Sequence, residues 1–107
     1  MPIQQNLSKS NSFELILEKD HLQRKWLNIK ASYKYLFPNI NGTTIILITD
    51  KGDIHTEFKI YKSRWYPWLE GGDLPIWFDA HKELRVGSKV RITEIAPKIR
   101  FRLKIVK

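Results

Sequence analysis

A chain of 107 residues, 42% hydrophobic and with four Trp, four Tyr and five Phe, has the content of one folded domain; intrinsic disorder and two separately buried cores are excluded. Nineteen Lys and Arg against eleven Asp and Glu leave a formal charge of +8, which fits a polyanionic partner or simply a basic surface. With no cysteine there is no disulfide, thiolate metal site or Cys nucleophile.

Residues 1–11 are polar and read as a loose lead-in, and residues 12–107 as a single domain. Phe13-Glu14-Leu15-Ile16-Leu17-Glu18 predicts a first strand, whose mixed pattern implies burial on more than one side. Lys19 to Lys25 follows as a polar connection with few apolar anchors, and Trp26-Leu27-Asn28-Ile29-Lys30 as a second strand. Ser32 is a candidate N-cap for a short helix, Tyr33 to Phe37, stopped by Pro38. Thr43 to Asp50 is the most strand-like stretch. It turns through Lys51-Gly52-Asp53 into a return strand with Ile54, Thr56, Phe58 and Ile60 on one face.

Lys62 to Leu69 is basic and aromatic, interrupted by Pro67, and fits an edge strand ended by a turn at Gly71-Gly72. Leu74 to Glu83 predicts a second helix capped by Asp73, with Pro75 in its first turn and Trp77, Phe78 and Ala80 toward the core. Ser88 to Ile95 and Ile99 to Ile105 are the last strands. Many short strands with two short helices predict a mainly β fold, a partly open barrel.

The last strand alternates without error: Lys98, Arg100, Arg102 and Lys104 fall on one face, about 7 Å apart at two strand steps each. Such a row contacts phosphates, or it protects an edge strand with a solvated charged face. Two connections carry side chains of the kind that read base edges. One holds Lys19, His21, Gln23, Arg24 and Lys25; the other Lys62, Ser63, Arg64, Trp65 and Tyr66. Trp65, Tyr66 and Trp68 alternatively belong to the core or form a lid over it, and for Trp68 the core is the preferred place.

Enzymatic signals are thin. Glu57-Phe58-Lys59 with Asp50 or Asp53 upstream has a superficial Asp…Glu-x-Lys nuclease pattern, which requires carboxylates gathered around Mg²⁺. Both aspartates flank the turn of the same hairpin, and such triplets arise easily in a Lys-rich chain. His21, His55 and His81 lack metal-ligand spacing; His55 is expected on an exposed strand face and His81 on the second helix. No phosphate-cradling or dinucleotide motif occurs, so no catalytic residue, metal or cofactor is expected. The longest apolar run, Ile45 to Ile48, is too short to cross a bilayer, and no membrane partner is expected.

The order of elements resembles the plant-type B-three DNA-binding domain, and more closely its bacterial relatives, the effector domains of EcoRII-like and BfiI-like restriction endonucleases. The resemblance rests on Phe13 to Leu17 and a basic arm, Trp26 to Lys30, and Leu36-Phe37-Pro38. It continues through the hairpin from Gly42 with Asp50-Lys51-Gly52, Leu69-Glu70-Gly71-Gly72, and Trp77-Phe78 with Leu84 to Val90. It implies a seven-stranded pseudobarrel gripping double-stranded DNA with two arms, Lys19–Lys25 and Lys62–Tyr66, in the major groove. Arg100 and Arg102, with Lys19 and Lys62, would then hold phosphates. It also implies a non-catalytic recognition domain in a bacterial cytoplasm, serving a nuclease domain of the same or another chain. Gly87-Ser88 stands where plant members usually carry Gly-Asp, and the second arm departs from the plant pattern, so no base preference carries over. Other readings are an OB-like module that stacks single strands on Trp65, Tyr66 and Trp68, a small Mg²⁺-dependent nuclease, and a protein-interaction module.

Overall fold

The computed structural model describes residues 11–60 and 66–107. Seven strands form one sheet in the order β1-β6-β7-β3-β4-β5-β2. They are β1 Ser12–Ile16, β2 Leu27–Asn28, β3 Thr43–Thr49, β4 Gly52–Lys59, β5 Trp68–Glu70, β6 Lys89–Ala96 and β7 Arg100–Val106. All neighbours pair antiparallel except β3 and β7, which run parallel from Ile46↔Arg100 to Ile48↔Arg102. Alternation sets the inner face: Phe13 and Leu15, Ile45 and Leu47, Ile54, Thr56 and Phe58, Val90 and Ile92, Phe101 and Leu103 are buried in turn. The sheet curls into a nearly closed barrel around them, as expected for a mainly β chain.

Two short elements plug its ends. A 3-10 helix, Ala31–Leu36, delivers Phe37, whose ring stacks on Phe101 (4.5 Å) and Phe58 (5.0 Å), while Tyr33 stacks on Phe13 (4.4 Å). Lys30 rather than Ser32 precedes its first turn. At the other end Leu74, Trp77 and Phe78 are buried from a helix, Leu74–Ala80. This helix stops three residues before the expected Glu83. Ala80 is consequently exposed, and His81 turns inward in the C-cap position instead of lying on the helix. Gly72, at φ +60°, brings the chain so close that a Cβ there would lie 2.2 Å from the His55 carbonyl oxygen. Only glycine fits that approach.

Three more expectations shift. Lys19–Arg24 is a helix, α1, not an irregular connection; Leu74–Ala80 is accordingly α2. The hairpin pairs Thr49 with Gly52, so Asp50-Lys51 forms its tip and the turn lies one residue earlier than Lys51-Gly52-Asp53. Neither β5 nor β7 is an edge strand, since β5 lies between β4 and β2 and β7 between β6 and β3.

Candidate nucleic-acid interface

The edges of the sheet are β1 and β2, and they face each other across an open seam. A cavity of about 520 Å³ occupies it, lined from β1 by Glu14 and Ile16, from β2 by Asn28, and by Lys30, Lys89, Tyr66, His21 of α1 and its N-cap Glu18. α1 leaves β1 at the α2 end of the barrel, where Lys25 Nζ meets Asp79 Oδ1 at 2.6 Å. β4 ends and β5 begins at the opposite end, with Ile60 N–H donating to Asn41 Oδ1 and Ile29 N–H to Pro67 O. α1 thus starts at one end of the barrel, and β4 ends and β5 begins at the other.

Few apolar side chains hold α1, yet its anchoring is specific. The Glu18 backbone N–H donates to His21 Nδ1 at 2.9 Å, so the imidazole caps the helix from the position where Glu or Gln usually does so. That bond makes Nδ1 the acceptor and leaves the ring's proton on Nε2. His21 is only 4% exposed, and burial pushes its pKa below the ordinary value of 6.5, against the opposing pull of Glu18 and Asp20. His21 was grouped with the contact side chains by sequence; its ring instead faces inward and fixes the helix from below.

Lys25 closes α1 in the left-handed region (φ 55°) and pairs with Asp79. The exposed side chains of α1 are then Lys19, Asp20, Gln23 and Arg24. The Arg24 guanidinium lies 5.0 Å from the centre of the Trp26 ring, which meets Trp68 edge-on at 5.6 Å. Trp68 is buried, as expected, and its indole N–H donates to the Glu70 carboxylate. Arg24 is thus supported by a ladder from α1 to β5. Sequence spacing did not reveal this ladder, because Trp26 and Trp68 meet only through the β2–β5 pairing.

Tyr66, 38% exposed, opens onto the seam. Lys62, Ser63, Arg64 and Trp65 lie outside the described residues. Beside the seam, Glu14 gathers two cations: Arg91 Nη2 at 2.7 Å and Lys89 Nζ at 3.5 Å. The hydrogen bond from Arg91 holds the Glu14 pKa below its ordinary value.

Arg100 and Arg102 lie elsewhere. In a sheet closed so that β1 and β2 meet, the middle strand β3 stands across the barrel from the seam, with β7 beside it. The exposed side chains of β7 therefore face away from α1. The residues of the nuclease-like pattern are also separated: Asp50 Oδ1 lies 3.0 Å from His81 Nε2 near α2, and Glu57 pairs with Lys59 on its own strand at 3.0 Å. His55 is exposed on β4, as expected.

No family model and no curated protein matches the chain. Solved structures do. The N-terminal domain of Helicobacter pylori LlaJI.R1 is 15% identical with a TM-score of 0.66, over 90% of this chain and 87% of that one. The chain is also similar to the hypothetical Arabidopsis thaliana protein At1g16640.1, with 16% identity, a TM-score of 0.64 and 92% of each chain covered. A third match is the Arabidopsis FUS3-DNA complex, 11% identical with a TM-score of 0.67, over 92% of this chain and 98% of that one. The shared fold is a seven-stranded, nearly closed barrel. At these identities the likeness is one of architecture, and it carries no residue roles with it.

Proposed function

We propose that this chain binds double-stranded DNA along the β1–β2 seam, with α1 entering the major groove as a base-reading arm. The observation that carries this is the Arg24–Trp26–Trp68 ladder, which aims an exposed guanidinium from a helix set beside an open seam. A fixed, planar guanidinium suits bidentate recognition of guanine, and Gln23 beside it suits adenine. The fold similarity supports the reading, because one similar structure is a DNA complex. Lys19 at the start of α1 and Lys30 on the seam supply phosphate contacts, and Lys62 to Tyr66 form the second arm.

In this reading the chain is a non-catalytic recognition domain for a restriction endonuclease of the bacterial cytoplasm, with the cutting domain on the same or another chain. The N-terminal domain of LlaJI.R1 among the similar structures supports the restriction context. The test is selection of bound duplexes from a random-sequence pool. Enrichment of a short shared site, lost on Arg24→Ala, is the expected result. Recovery of unenriched duplexes, or stronger retention of single strands, contradicts the proposal.

A further inference from the structure

The row of cations on β7 remains unexplained by the seam. Arg100, Arg102 and Lys104 are all exposed, and among the described residues none takes part in an ion pair. The usual reason for such a row is protection of an unpaired edge. That reason fails for Arg100 and Arg102, where β7 is hydrogen-bonded on both sides, to β6 and to β3; beyond Arg102 the pairing is with β6 alone, which leaves Lys104 on the one-sided end of the strand. Neither of the carboxylates in the adjoining cavity forms an ion pair with Arg102 or Lys104. Asp50 and Glu83 share a 440 Å³ cavity with Arg102, Lys104 and Lys107, yet both are held by the two nitrogens of the buried His81 ring, at 3.0 and 3.1 Å.

Three cations outside any ion pair, at regular intervals of ~6.6 Å on one face of a strand held by β6 throughout and by β3 over its first three residues, form an evenly charged track. A phosphodiester backbone is likewise a regular line of single negative charges. Since β7 faces away from the seam, a duplex in the seam leaves this track free. We infer that β7 is a second, sequence-independent phosphate-binding surface, which lets one chain hold a second DNA segment while the seam holds the first. This rests on the seam reading above. Arg100, Arg102 and Lys104 make the contacts; Arg91, opposite Lys104 on β6, is already committed to Glu14.

The experiment immobilises a duplex recovered by the random-pool selection, saturates it with protein, and measures retention of a labelled duplex of unrelated sequence. The wild-type chain should retain the second duplex, with log retention falling against log salt at a slope near −3 for three neutralised phosphates. Combined Arg100→Glu, Arg102→Glu and Lys104→Glu should reduce that retention to background while leaving binding of the immobilised duplex unchanged. The milder Gln triple variant, with thermal unfolding followed in parallel, separates lost charge from lost fold. Failure of the wild type to retain a second duplex while it binds the first overturns this inference and leaves the seam reading standing. Equal retention by the triple variants also overturns it, since bridging would then run through paired copies of the seam. A chain that binds no duplex removes both.

Discussion

The barrel presents cations in two ways. On α1, Arg24 is held by a neighbouring ring and belongs to a helix with a buried imidazole cap. On β7, Arg100, Arg102 and Lys104 are loose ends of a rigid strand, with no ring or carboxylate holding them among the described residues. Fixing a guanidinium restricts where its donors point, which is what discrimination among bases demands. Leaving it mobile keeps the charge and discards the direction, which is sufficient for a uniform backbone. The two regions have one charge chemistry and different degrees of order, and we expect them to differ in specificity rather than in sign.

The largest expected effect belongs to neither region and serves as a control. Gly72→Ala places a Cβ against the His55 carbonyl at positive φ, so it should cost at least ~2 kcal/mol in urea unfolding. Its duplex binding, measured where it is folded, should keep the wild-type salt slope. A stable Gly72→Ala protein would show that the turn before α2 yields more easily than its geometry implies.

Arg24→Ala comes next. Loss of a bidentate guanine contact should weaken the selected duplex by ~1–3 kcal/mol and relax preference at one base pair. Equal weakening on every sequence would assign Arg24 to phosphate, and the distinction from β7 would collapse.

Acid should loosen the arm. The folded pKa of His21 lies below its unfolded value, so the unfolded chain takes up the proton more readily. The stability contributed by the neutral ring is complete above about pH 6.5 and is lost as pH falls through the folded pKa. Urea unfolding across that range should show less pH dependence in His21→Gln than in the wild type. An identical pH dependence in the two proteins would mean that the imidazole is not the group responsible.

A smaller effect of opposite direction is expected at Glu14. Its carboxylate engages Arg91 and Lys89, so Glu14→Gln should release two cations at the rim of the seam. Duplex affinity should then rise on all sequences alike, with a salt slope steeper by up to about 2. Unchanged affinity would place that rim outside the DNA footprint.

The β architecture and much of the core were legible in the alternation of Ile54, Thr56 and Phe58 and of Phe101 and Leu103, because burial on one face imposes a period of two; on β1 the expected burial on more than one side gives way to one buried face, Phe13 and Leu15, with Ile16 exposed. The place of β7 within the sheet was not. Its parallel partner β3 lies far away in sequence, and alternation is the same for an interior strand as for an edge with one solvated face. α1 escaped for a different reason: six residues with Leu22 partly buried against the core give no helical period, and its cap is a histidine. His81 is expected on a helix that runs from Leu74 to Glu83. The helix ends at Ala80 instead, and the ring is buried against Trp77, 4.9 Å between centroids.

The central claim is that directed and undirected cations lie on opposite walls of one barrel and do different work. Affinity of a single selected duplex for the wild type, Arg24→Ala and Arg102→Ala, each titrated against the selected and a scrambled sequence, tests it most directly. Arg24→Ala should lower affinity for the selected duplex alone, and Arg102→Ala should leave both one-to-one complexes unchanged. Loss of selected-site affinity in Arg102→Ala, with Arg24→Ala unaffected, would contradict it by placing the reading surface on β7.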